Sequence, residues 1–180
     1  MAQFDVLQSE GMNWVKINLR DESVRAEAGA LSHMSGDIVV DAPLPSMRGA
    51  MASVFSDESF IRPTYSGTGE IHLEGSLGGC HVVDLNCESW ILESGAYWAS
   101  DGSIDVSIFR ERVSTAFWTG EGFVQFRTKV RGTGKVIVRT DGPLEEIELN
   151  SGRYLAEGKI VVGRTGDITY TLQRPTRTFL

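Results

Sequence analysis

The sequence predicts an all-β protein: two similar antiparallel β-sandwich lobes related by a pseudo-two-fold internal repeat, with little helix. Three observations predict it. A strand–turn–strand phrase occurs three times, at residues 29–40, 94–106 and 158–170, and its glycines Gly36, Gly102 and Gly166 stand 66 and then 64 residues apart, each followed by a polar residue and an isoleucine. A second phrase, Gly67-Thr68-Gly69, returns as Gly132-Thr133-Gly134, each time ahead of an apolar run. Apolar residues elsewhere alternate with polar ones, the period of a half-buried strand, and only one short stretch carries a helical spacing.

Taken in order, the chain opens with a half-unit at 13–29, where Val15, Ile17 and Leu19 alternate with polar neighbours. The same phrase returns at 83–95 and again at 147–158, so two intertwined repeats of about 65 residues, roughly 30–95 and 96–172, account for a single domain over 1–180. Helix is expected only at 46–56, where Met47, Met51, Val54 and Phe55 share a face despite Gly49, with a poorer counterpart at 108–116. Residues 59–73 and 122–138 match each other around the Gly-Thr-Gly phrases, which read as corners between strands. Turns follow at Gly75–Gly79 and at Asp141-Gly142-Pro143, and the tail 173–180 lies outside the repeat. The corner reading makes Gly36, Gly67, Gly69, Gly102, Gly132, Gly134 and Gly166 structural turns, with alanine at Gly67 and Gly132 equally costly and alanine at Gly11 tolerated.

Composition narrows the function. The 180-residue chain has a formal net charge of −7 and no basic cluster, so its field repels polyphosphates and nucleic acid is excluded as an expected partner. No run approaches the roughly 20 apolar residues of a membrane span, and the first residues lack the pattern of a leader, which points to the cytoplasm. Cys80 and Cys87 lie on one predicted strand about 23 Å apart at ~3.3 Å per residue, too far for a disulfide, so both are expected as free thiols.

Candidate chemistry is thin. His72 and His81, with Cys80 adjacent, are placed to meet across a hairpin at 70–84, but no third or fourth zinc ligand accompanies them, and no metal or cofactor is expected. Residues 152–160 fail the phosphate-loop spacing, and neither Gly-Thr-Gly continues to the third glycine of a dinucleotide fingerprint. Asp57, Glu58 and Glu121 occupy matching repeat positions, which suits turn-holding better than paired acid–base work, and no nucleophile elbow or triad order is present. The richest aromatic group is Trp90, Tyr97, Trp98, Trp118 and Tyr154. Because Tyr97 and Trp98 are neighbours on a strand they point to opposite faces, so one of them is expected to be exposed or in an interface.

Several stretches carry a family resemblance: Gly-Thr-Gly before an apolar strand, Leu149-Asn150-Ser151-Gly152-Arg153-Tyr154-Leu155, Glu93-Ser94-Gly95-Ala96-Tyr97-Trp98-Ala99-Ser100, and Asp57-Glu58-Ser59-Phe60. Together they resemble the altered-inheritance-of-mitochondria family of uncharacterised proteins over nearly the whole chain. Asp57, where glycine is common, and Leu77-Gly78-Gly79, without the usual Pro-Gly, depart from its pattern at turns. The resemblance implies a fold like that of the tryptophan RNA-binding attenuation protein and, from bacterial members, a homotrimer; it carries over no catalytic residue, and RNA binding is not inherited with the fold. Two functions follow as expectations. The first is a non-enzymatic, protein-binding homo-oligomeric scaffold. The second is a small-molecule or glycan binder using a cleft between the lobes, with Tyr97, Trp98, Trp118 and Glu121 as candidate ligand or interface residues.

Overall fold

In the computed structural model of the chain, residues 1–42, 62–113, 123–156 and 160–171 are described. The expected helix at 46–56, Asp57, Glu58, Trp118, Glu121 and the tail from 173 lie outside them. Nine strands follow in order: β1 (Gln3–Ser9), β2 (Met12–Ala26), β3 (Leu31–Asp41), β4 (Thr64–Leu73), β5 (Gly79–Leu92), β6 (Tyr97–Asp101), β7 (Asp105–Val113), β8 (Phe123–Thr140) and β9 (Gly163–Thr165). No α-helix occurs among the described residues, and the segment from Ile108, expected as a weak helix, continues β7.

The all-β class holds, but the strands form one open antiparallel sheet, β3-β4-β2-β6-β8-β5-β9, with β1 beside β2 and β7 beside β8. Strand length produces this. β2 pairs with β4 over Lys16–Arg25, and its other edge takes β1 at Met12–Asn18 and then β6 at Val24–Ala26. β8 likewise pairs with β5 along one edge and with β7 and then β6 along the other. The five residues of β6 therefore join the halves, and all five are buried.

Two apolar clusters fill the structure, one of Val15, Ile17, Leu19, Val24, Ile71 and Trp98 with their neighbours, the other of Leu85, Leu92, Tyr97, Ile104, Val130 and Val136 with theirs. In β2 the inward residues are odd-numbered through Leu19 and even-numbered from Val24. The change of phase comes from a bulge at Asp21 (φ 58°), where the register skips one residue against β4. β5 repeats it at Cys87 (φ 57°) against β8.

These bulges explain the Gly-Thr-Gly phrases. Gly67–Gly69 lies inside β4 and Gly132–Gly134 inside β8, opposite the bulges, and Thr68 and Thr133 accept the Asp21 and Cys87 backbone N–H at 3.0 and 3.1 Å. They are therefore points where a long strand coils past a bulge rather than corners between strands. Gly36 is likewise mid-strand in β3, paired with Gly69, whereas Gly102 and Gly166 are in turns. The turns are matched: Gly102 donates to the Ser23 carbonyl at 2.8 Å and Gly166 to the Ser89 carbonyl at 2.7 Å. Over 147–156, the described part of the expected third strand at 147–158, no strand forms and the chain bends at 150–152; β9 follows among the described residues. Gly11, expected to tolerate alanine, has φ +81° beside Glu10 at +51°, the two-residue turn of the β1–β2 hairpin that requires both angles positive.

Candidate functional site

β6 brings Tyr97 and Trp98 to the junction of the two halves. As neighbours on a strand they point to opposite faces, Tyr97 into the second cluster and Trp98 into the first. Neither is exposed or left for an interface: they are 1% and 8% accessible, because β6 has a covering layer on each face. The Tyr97 hydroxyl donates to the Arg25 carbonyl at 3.2 Å and lies 3.0 Å from Ser100 Oγ, and burial pushes its pKa up to about 12. Arg139 stacks on Trp98 with its guanidinium carbon 4.6 Å from the ring centre. These are structural aromatics, and the junction is packed rather than cleft.

The charges around it are paired in a repeated pattern. Arg62 bonds Glu27 at 3.0 Å and Thr128 at 2.9 Å while lying over the Tyr97 ring. One repeat later, Arg127 bonds Glu93 at 2.7 Å and also pairs with Glu111, which Arg164 meets at 2.5 Å; Tyr170 stacks on both guanidiniums. Two arginines and two carboxylates balance in charge across this network. The network escaped the sequence reading, although its signal is there: Arg62 and Arg127 stand five residues before Gly67 and Gly132, and Glu27 and Glu93 are 66 apart.

A polar cleft of about 430 Å³ opens beside the β2 bulge, lined by Glu22, Ser23, Ser66, Asp101 and Ser103 among others. Its buried carboxylate is already used: Asp101 accepts the Ala2 N–H at 3.0 Å and the Lys135 N–H at 2.7 Å, fixing β6 to β8. Among the described residues no aromatic side chain lines it. Tyr97 and Trp98 are elsewhere, and the structure brings neither of them to this cleft.

The histidines meet differently from expectation. His72 on β4 faces His33 on β3, the rings stacked 4.4 Å apart at 9°, with Glu70 at 4.0 Å from His72. His81 on β5 instead contacts Thr140 and the Gly142 carbonyl, since β5 pairs with β8 and not β4. Among the described residues no three metal-ligating side chains converge. Cys80 is buried and Cys87 exposed, and both are free.

What is left open is backbone. Among the described residues β3 ends the sheet and pairs with β4 alone, with Val39 67% and Val40 44% exposed. Residues 143–156 are exposed throughout, including Leu144, Ile147, Leu149, Tyr154 and Leu155. No backbone hydrogen bond ties this stretch to the rest of the described residues. At both places, among the described residues, main chain that carries apolar side chains is exposed.

The family model described as mitochondrial biogenesis AIM24 matches residues 4–180. An uncharacterised protein of Streptococcus pyogenes serotype M6 is 28% identical over 123 residues, covering 67% of this chain and 49% of its own length, so the chain spans about half of that curated relative. A Streptococcus pyogenes protein solved by X-ray crystallography in a structural genomics programme superposes with a TM-score of 0.63 at 23% identity, over 84% of this chain and 70% of its own. That likeness establishes the fold alone.

Proposed function

This chain belongs to the mitochondrial biogenesis AIM24 family, and we propose that it works as a non-enzymatic, homo-oligomeric scaffold, a trimer, that presents surfaces for protein binding. One observation carries the reading. The sheet is open, with the unpaired edge of β3 at one end and an unpaired apolar stretch at 143–156, while every buried charge described above is already engaged. A closed ring covers such edges, whereas an open one invites fibres. Free thiols and an acidic surface are compatible with a cytoplasmic location, without nucleic acid as partner.

Small-molecule or glycan binding takes second place. Its support is the polar cleft at Glu22, Ser23 and Ser103, which lacks the aromatic wall expected of such a site. Static light scattering on the purified chain decides the first reading: the expected mass is three times the 19.7 kDa of one chain, and 19.7 kDa at micromolar concentration overturns it.

A further inference from the structure

We propose that residues 144–150 of one chain add as a strand to the open edge of β3 in a second copy. The proposal rests on the oligomeric reading above and names the surfaces that form the contact.

β3 offers the acceptor. Its register on β4 sets Met34 opposite Ile71, Ile38 opposite Gly67 and Val40 opposite Tyr65, and period two places these three side chains on one face. Ile71 and Tyr65 belong to the first core cluster and Ile38 packs against it. Met34 and Val40 nevertheless remain 39% and 44% exposed, the apolar face reaching the edge of β3 with no further strand beside it among the described residues. The far edge of β3, over Leu31–Asp41, has no strand partner among the described residues.

Residues 144–150 offer the donor. Ile147 and Leu149 alternate with Glu146, Glu148 and Asn150, and the phrase copies Ile17–Leu19 of β2 and Val83–Leu85 of β5. Ile17–Leu19 lies between β1 and β4, and Val83–Leu85 pairs with β8 along one edge, β9 reaching only Trp90–Leu92 of β5. The third, alike in pattern, is unpaired, with Ile147 and Leu149 42% and 41% exposed. Laid along β3 it places that pair beside Met34, Ile38 and Val40, extending the first cluster's apolar face by a strand while satisfying backbone groups on both sides. Donor and acceptor are different surfaces of the same chain, so the contact runs head to tail, the kind that gives a ring where the rotation between copies closes.

The test is cross-linking of the full chain in a Cys87→Ser background, which removes the exposed thiol. Chains carrying Val39→Cys and chains carrying Glu148→Cys, differently tagged and co-expressed, are treated with a short bismaleimide; the expected product is a dimer joining one of each. A 39–39 product, a link within one chain of the double variant, or no 39–148 product in a sample that light scattering shows to be oligomeric overturns the strand addition while leaving the oligomer standing. A monomeric mass for the unmodified chain overturns both. As a second arm, Leu149→Pro removes a donor N–H in a stretch that no backbone hydrogen bond ties to the rest of the described residues. The expected result is a fall from the oligomeric mass to that of one chain with the monomer still folded by circular dichroism, and an unchanged oligomer refutes the proposal.

Discussion

His72 carries the clearest consequence of a single residue's surroundings. Burial, with His33 stacked against it and Lys16 nearby, pulls its pKa below the ordinary 6.5, and Glu70 opposes this only in part. The folded protein then holds fewer protons than the unfolded chain in that range, so this group's contribution to stability is present above pH 6.5 and is lost as pH falls from 6.5 through the lowered folded value. Urea midpoints measured across that interval should drop on the acid side, and His72→Gln should flatten the drop; an equal slope in parent and variant would dismiss the stacked pair as its source. At this scale the sequence shows which residues are polar or aromatic but not whom they meet. His72 and His81 look like hairpin partners nine residues apart, yet β4 and β5 are not paired, and only the sheet order brings His33 to His72.

Between elements, the repeat is legible but its two copies are unequally loaded. Gly67 and Gly132 have φ of +134° and +137°, so both resist a side chain. Their surroundings differ. A Cβ on Gly67 lands 2.1 Å from the Asp37 carbonyl oxygen, because β3 runs unbroken alongside, whereas one on Gly132 comes no closer than 3.3 Å to Ser103 O, where the chain turns between β6 and β7. The equal cost read from sequence is thus replaced by an ordered pair. Gly132→Ala should cost about 1–3 kcal/mol from backbone strain, and Gly67→Ala distinctly more because backbone must also move. Gly11→Ala, with open space around it but φ +81°, should lose about 1 kcal/mol, chiefly from the angle. Chemical denaturation of the three variants checks the order; Gly132→Ala at least as damaging as Gly67→Ala contradicts it.

For the whole molecule, β6 decides cooperativity. Tyr97 packs in one cluster and Trp98 in the other, and Asp101 at its end ties the Ala2 and Lys135 backbones together. Neither half has a complete core without that strand, so thermal unfolding should be one transition, with tryptophan fluorescence and far-ultraviolet dichroism coincident. Trp98→Ala, expected to cost about 3–5 kcal/mol, should lower both signals' midpoints together. Separate transitions for the two signals would show the halves to be independent lobes.

The sequence by itself determined the class, the repeat and its period, since alternation and turn residues are local and survive in one dimension. The phase change in β2, Val15, Ile17 and Leu19 giving way to Val24 and Ala26, reads in the sequence as a strand followed by a turn, and the bulge at Asp21 shows it to be one continuous strand. Only the tertiary structure decided that the halves share one sheet, that Tyr97 and Trp98 are both buried, that Arg127 joins Glu93 and Glu111, and that the third copy of the strand phrase stays unpaired. Each of these depends on which strands become neighbours, and that choice is made by long-range pairing and by burial on two faces of β6, quantities to which a local pattern of residues is blind.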